Sequence, residues 1–118
     1  AANNVLASNR AGGILFSGDS RFGNTMNASV PFGRLINNTI YGMNASDIGI
    51  SVTNNASPTL LNNIVANLGT GIQVDASSNT TVVGYTLYQG NRTNTVGTTA
   101  GAQAIQLTAT DPLFVNAT

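Results

Sequence analysis

One pattern recurs along the chain and limits what it can fold into. Each copy has a polar pair, a short apolar stretch, a break of small residues, and then Gly-Ile followed by another apolar position. The copies begin at Asn3, Asn37, Asn62 and Gly84. The last copy, GYTLYQGN, is degenerate, and its partner strand AIQL follows at Ala104. The Gly-Ile pairs at Gly49 and Gly71 lie 22 positions apart, a period typical of a solenoid.

The repeat predicts an all-β fold. No segment has apolar residues at helical spacing over a helical length, and the apolar stretches are too short and too far apart for ordinary hairpins. Equivalent strands must therefore stack in parallel, which predicts a right-handed parallel β-helix of about four coils. We expect residues 1–118 to form one such domain, a module or fragment of a larger or polymeric assembly. Two polar stretches, 17–33 and 89–103, are predicted to be loop insertions.

Paired asparagines open three of the copies. Equivalent positions of stacked coils lie about 4.8 Å apart, so asparagines at a corner can hydrogen-bond to one another as a ladder. Asparagine also tolerates the left-handed backbone of a sharp corner. The predicted ladder is Asn4, Asn38 and Asn63, with Asn3, Asn37 and Asn62 beside it; ligand binding is the alternative role. The predicted core stacks are Ile36, Leu61 and Val83 in one, and Ile14, Ile50, Ile72 and Ile105 in the other.

The charge composition excludes several classes of partner. Four basic and four acidic residues give a net charge of zero, and histidine and cysteine are absent. A neutral chain has no electrostatic attraction to nucleic acid or anionic lipid, so we expect neither as a partner. No apolar stretch reaches the roughly 18 residues of a membrane span. Without cysteine or histidine we expect no metal and no cofactor.

Four stretches resemble a known family. LLNNIVAN, GIQVDASSNTTVVG, TLYQGN and the terminal DPLFV are similar to the right-handed parallel β-helix repeat family, the broad group that includes pectate-lyase-like proteins and bacterial extracellular surface proteins. In such surface proteins a similar DPLFV marks the last coils. The resemblance implies the fold and an extracellular or cell-surface location. It does not imply one activity, because the family includes lyases, hydrolases, adhesins and structural fibres.

The acidic residues do not form the sites that the family's enzymes use. The family's lyases hold Ca²⁺ with carboxylate clusters and use arginine or lysine as a base, and its hydrolases use a carboxylate pair. Here Asp19, Asp47, Asp75 and Asp111 fall at unrelated positions of the repeat. A Ca²⁺ site needs several oxygen ligands, and a glycosidase needs two carboxyls about 5–9 Å apart. We therefore expect no enzymatic activity, and Asp47 and Asp75 are interpreted as turn residues.

A few surface residues suit sugar. Tyr41, Tyr85 and Tyr88 can stack on sugar rings, or instead fill the corners of coils. Arg21 and Arg34 flank the first predicted loop and can contact an anionic sugar, or be plain surface charges. Seven N-x-S/T sequences occur, and Asn27 and Asn91, in the predicted loops, are the candidate glycosylation sites.

The favoured function is structural. We expect an extracellular module that self-associates end to end into a fibre or sheath, because neither end has a polar cap and an open strand edge can pair. The alternative is a polysaccharide-binding or adhesin module. Lower alternatives are ice binding, although Thr39, Thr59, Thr86 and Thr108 form no regular T-x-T row, and a non-catalytic part of a polysaccharide lyase whose acids lie elsewhere in a longer protein.

Overall fold

The computed structural model describes residues 1–19, 31–108 and 110. These residues form twelve β-strands and one 3₁₀ turn, Ala76–Ser78, and contain no α-helix. The strands are β1 (Val5–Ala7), β2 (Ile14–Ser17), β3 (Phe32–Ile36), β4 (Thr39–Tyr41), β5 (Ile48–Thr53), β6 (Ser57–Leu61), β7 (Ile64–Ala66), β8 (Thr70–Val74), β9 (Val82–Gly84), β10 (Leu87–Gln89), β11 (Thr93–Val96) and β12 (Ile105–Leu107).

All strand pairs are parallel and belong to three sheets. Sheet I has the order β1-β4-β7-β10-β12, sheet II the order β11-β8-β5-β2, and sheet III the order β3-β6-β9. The chain visits the three sheets in rotation, so each round of chain pairs with the round before it. Isolated bridges extend sheet III on both sides, from Ala2 to Ile36 and from Gly84 to Ala102. The all-β prediction with parallel stacking of equivalent strands is confirmed.

The core consists of columns of apolar side chains, one from each sheet. Successive side chains of a strand point to opposite faces, so every second side chain of a strand faces the core. The columns are Ile40, Val65 and Tyr88 in sheet I, Ile50 and Ile72 in sheet II, and Leu35, Leu60 and Val83 in sheet III. Tightly apposed glycines bring neighbouring rounds into contact: a Cβ on Gly49 would lie 2.6 Å from the carbonyl oxygen of Gly71.

The predicted stack of Ile36, Leu61 and Val83 is wrong by one residue. Ile36 stands opposite Leu61, but Leu61 stands opposite Gly84, and Val83 pairs with Leu60. Because side chains alternate, this slip moves two of the three residues to the outer face. Of the two adjacent leucines, Leu60 is the buried one. The sequence does not show which of the two faces the core.

The second predicted stack is correct for three residues and wrong for the fourth. Ile14, Ile50 and Ile72 stand opposite one another, and the next member is Thr95 of β11. Ile105 instead pairs with Leu87 in sheet I and is 53% exposed. The predicted loop 89–103 therefore contains a strand. Of the other predicted loop, residues 20–30 lie outside the described residues, and its end belongs to β3.

The corner between sheets III and I has the same backbone conformation in every round. The residue at this position has a positive φ between 53° and 58° in all five rounds. These residues are Asn3, Asn37, Asn62, Tyr85 and Gln103. Asparagine adopts this conformation more readily than other residues with a Cβ, so the first asparagine of each pair makes the turn.

Candidate functional site

The second asparagine of each pair forms the inner ladder. The Nδ2 of Asn4 donates to the Oδ1 of Asn38 (2.9 Å), and the Nδ2 of Asn38 donates to the Oδ1 of Asn63 (3.0 Å). The Nδ2 of Asn63 donates to the carbonyl of Leu35 (2.9 Å). Asn38 and Asn63 are each only 1% exposed. Because these amides bond to the protein itself, they stabilise the corner, and the two N–H groups of Asn38 are both used, for Asn63 and for the carbonyl of Ala1 (3.3 Å).

The outer row of asparagines is less regular. The Nδ2 of Asn62 donates to the Oδ1 of Asn37 (2.7 Å), and both residues are exposed. Asn3 shares their backbone conformation but makes no side-chain hydrogen bond with the described residues. The fourth round has Tyr85 and Thr86 in place of the two asparagines, so both rows stop at the third round.

The described acids lie in separate turns. Asp75 caps the 3₁₀ turn, accepting from the backbone N–H of Ser78 (2.9 Å), the hydroxyl of Ser77 (2.7 Å) and the backbone N–H of Asn54 (2.8 Å). Partial burial acts to raise the pKa of Asp75, but these hydrogen bonds outweigh it and hold that pKa below its usual value. Asp47 is buried in the turn before β5, where Asn44 Nδ2 lies 3.4 Å from its Oδ2.

No metal centre emerges from the described part of the chain, where no three His, Cys, Asp or Glu residues group together. Asp111 and the terminal DPLFV lie outside the described residues, as does Arg21. Arg34 lies exposed in the middle of β3, so it belongs to a strand and not to a loop.

The three tyrosines do not form one sugar-stacking surface. Tyr88 is completely buried in the core column of sheet I, and its O–H donates to the carbonyl of Ala100 (3.2 Å). Burial raises the pKa of Tyr88 to about 12. The prediction that Tyr88 contacts sugar is therefore wrong. Tyr85 is 59% exposed at the corner before β10, and Tyr41 is half-buried at the end of β4, two rounds away.

Asn91 is not the open loop residue that the sequence suggested. Its Nδ2 donates to the carbonyl of Val65 (2.8 Å) and its Oδ1 accepts from the backbone N–H of Leu68 (3.0 Å). A glycan on the Nδ2 of Asn91 would break its hydrogen bond to Val65. The structure therefore disfavours Asn91 as a glycosylation site. Asn27 lies outside the described residues.

A polar groove follows the corner between sheets I and II. One part encloses about 460 Å³ between the turns after β4, β7 and β10, and an adjoining part encloses about 550 Å³ beside the turn after β1. Met43 and Asn44 line both parts, so the two parts form one groove, called the corner groove below. Arg92 lines the first part and Arg10 the second. The sequence alone did not indicate this groove, although Arg10 and Arg92 each lie three positions after the end of a sheet I strand.

The outer edges of sheet I form the second candidate site. β1 and β12 are its first and last strands, and each pairs on one side only within the described chain. Val5 in β1 is 77% exposed, and Ile105 occupies the same position in β12. Leu15 of β2 and Val96 of β11, on the edge strands of sheet II, are exposed as well. An unpaired strand edge with apolar side chains is a surface for pairing with another strand.

No protein-family model, curated protein or solved structure matches the chain. Its function therefore has to be argued from the two candidate sites.

Among the described residues, no helix is both long and apolar enough to cross a lipid bilayer.

Proposed function

We propose that the chain is a right-handed parallel β-helix module of an extracellular or cell-surface structural protein, and that copies of it stack end to end. The rotation of the chain through three parallel sheets supports the coiled arrangement. The right-handed sense follows from the strong preference of parallel crossover connections for that hand. In this interpretation each round of chain is one coil.

The match between β1 and β12 carries the proposal. Both are edge strands of sheet I, both have three residues, and both run in the same direction as the strands between them. A strand of a second copy placed on either edge would repeat the pairing that already joins the coils within one copy. Stacking would also remove Val5 and Ile105 from water, which favours association by about 1 kcal/mol for each side chain.

The absence of net charge favours self-association. A chain with zero net charge has no long-range repulsion between copies. Natural proteins protect edge strands with charged side chains, above all lysine. No residue of β1 or β12 is charged.

The test is the size of the assembly at increasing protein concentration. Analytical ultracentrifugation and electron microscopy should find filaments, with a rise of about 24 Å per copy from five sheet I strands spaced by about 4.8 Å. Ile105→Lys should abolish them, because it places a charge on the edge strand. Met43→Lys is the matched control, since Met43 is also more than half exposed but lies at a corner. A monodisperse wild-type monomer at high concentration would overturn the proposal.

The corner groove supports a second candidate function, binding of an anionic polysaccharide. Arg10 and Arg92 lie three coils apart on one corner, about 14 Å along the stack, and amides line the groove between them. Arg92→Ala should weaken binding on a glycan array, whereas Arg34→Ala, which removes an exposed arginine from sheet III, should leave it unchanged. Equal binding by both variants would exclude the groove. Ice binding gains no support, because Thr86 is buried and Thr39 and Thr59 belong to different sheets.

A further inference from the structure

We propose that the join between copies has a single register in sheet I, with β12 of one copy paired to β1 of the next, Ile105 opposite Val5 and Leu107 opposite Ala7. The partner at this surface is a second copy of the chain. The inference rests on the proposed stacking and specifies its geometry. Two features determine the register: the backbone hydrogen bonds that repeat along sheet I, and the asparagine ladder beside it.

Sheet III is extended at both edges by an isolated bridge, whereas sheet I ends on two regular strands, β1 and β12. At one edge of sheet III, the N–H of Ile36 donates to the carbonyl of Ala1 (3.0 Å), and Ala2 bridges to Ile36. At the other edge, the N–H of Tyr85 donates to the carbonyl of Ala102 (2.7 Å). Among the described residues, β1 and β12 pair on one side only, so a strand of a second copy can pair on the other side.

The backbone hydrogen bonds of sheet I repeat in every coil. The first residue of each strand donates its N–H to the carbonyl of the residue that precedes the strand in the previous coil. These bonds are Thr39 to Asn4 (2.8 Å), Ile64 to Asn38 (2.8 Å), Leu87 to Asn63 (2.8 Å) and Ile105 to Thr86 (3.0 Å). The same rule at the join pairs the N–H of Val5 with the carbonyl of Ala104 of the second copy, which places Ile105 opposite Val5.

The asparagine ladder requires the same register. The Oδ1 of Asn38 accepts the backbone N–H of Asn4 (3.2 Å), and the Oδ1 of Asn63 accepts the backbone N–H of Asn38 (3.0 Å). Each ladder oxygen thus binds the N–H at the same corner of the preceding coil. The Oδ1 of Asn4 accepts no hydrogen bond from the described residues. In the join it would accept the N–H of Ala104, which occupies this corner in the last described coil of the second copy.

The side chains of sheet I are compatible with this join. The outward-facing positions that begin its strands are Val5, Thr39, Ile64, Leu87 and Ile105. The three inner members are half-buried because they have neighbours on both sides, whereas Val5 and Ile105 are exposed. Pairing Ile105 with Val5 gives both end residues the neighbours that they lack and continues the column from one copy to the next.

Cysteine cross-linking tests the register. The chain contains no cysteine, so an engineered pair reacts without competition. Residues directly opposite in neighbouring parallel strands lie about 4.8 Å apart, within the Cα separation that a disulfide bridges. Oxidised filaments of the variant Val5→Cys with Ile105→Cys should run as a ladder of covalent multimers on a non-reducing gel, with loss of the monomer band. Both positions are exposed, so the variant should fold, which far-UV circular dichroism in reducing buffer verifies.

The matched control is Val5→Cys with Leu107→Cys. Its cysteines would be offset by two residues along the strand, or about 8 Å between Cα atoms, beyond disulfide reach, so the monomer band should remain. If filaments form in reducing buffer but the first pair gives no ladder, or both pairs give equal ladders, the register is wrong while stacking stands. If neither filaments nor multimers form, stacking itself is refuted and the register with it.

Discussion

Removal of one ladder amide should destabilise the protein far more than an ordinary asparagine substitution. Asn63→Ala deletes three buried hydrogen bonds, two accepted from Asn38 (both 3.0 Å) and one donated to Leu35 (2.9 Å). A buried hydrogen bond contributes about 1 kcal/mol net, and a buried group left without a partner adds to the loss. The expected loss is about 3–4 kcal/mol of the free energy of unfolding. That is a large share of the roughly 5–15 kcal/mol of a typical domain.

Asn4→Ala is the matched control at the end of the same ladder. It deletes two bonds, to Ala2 (3.0 Å) and Asn38 (2.9 Å), but Asn4 is exposed and water can replace them. We expect a loss of about 1 kcal/mol or less. Urea unfolding followed by far-UV circular dichroism measures both variants, at a protein concentration at which the wild-type chain sediments as a monomer. A loss below about 1 kcal/mol for Asn63→Ala, or equal losses for the two variants, would show that the ladder does not stabilise the corner as argued.

Three further predictions concern the corner between sheets III and I, the packing of neighbouring rounds of chain, and pH. Tyr85→Asn should stabilise the protein by about 0.5–1 kcal/mol, seen as a higher melting temperature, because asparagine adopts the φ of 53° at this corner more easily than tyrosine. Gly49→Ala should cost about 1–3 kcal/mol in urea unfolding, because the new Cβ would lie 2.6 Å from the carbonyl oxygen of Gly71. Gly84→Ala, whose Cβ would meet its nearest atom at 3.2 Å, should cost clearly less. The free energy of unfolding should fall as the pH rises from about 10 towards 12, because folding raises the pKa of Tyr88 to about 12 and the unfolded chain releases that proton first. Tyr88→Phe should reduce this fall. If the variant and the wild type lose the same free energy of unfolding between pH 10 and pH 12, the burial of the Tyr88 hydroxyl is contradicted.

The sequence was sufficient for the class of fold and for the inner row of asparagines. Paired asparagines at a constant distance from apolar positions require a repeated corner, and the corner positions of Asn37 and Asn62 follow from that spacing. The sequence does not determine the register where two adjacent residues are both apolar. Leu60 and Leu61 satisfy the pattern equally well, and only packing against the neighbouring sheets decides which one is buried.

The misplacement of Ile105 has a different cause. The strand that continues sheet II in the fourth round is TNTV, which is polar because it lies at the end of the core. The apolar repeat is therefore interrupted at this strand, and the next Ile in a matching position is Ile105, after Ala104. End strands are half-solvated on their stacking side, so their composition departs from that of inner strands and the repeat becomes hard to recognise there.

The two candidate sites were predictable to different degrees. Open strand edges were expected from the repeat, although the pairing of β12 with β10 was not. The corner groove was not predicted, because its lining residues come from turns of four different rounds and from β11 and β12, and form no local motif. Met43 and Arg92 are 49 positions apart in the chain and become neighbours only when the turns stack.

Every strand pairs only with the equivalent strands of the neighbouring rounds. This arrangement affects how the protein can become longer during evolution. In most globular domains an inserted segment disturbs a shared core. Here a duplicated stretch of chain from β6 to β8 would bring its own strand for each of the three sheets and would contact only its immediate neighbours. Gene duplication within this region could therefore lengthen the protein in whole steps, with every existing contact preserved except at the point of insertion.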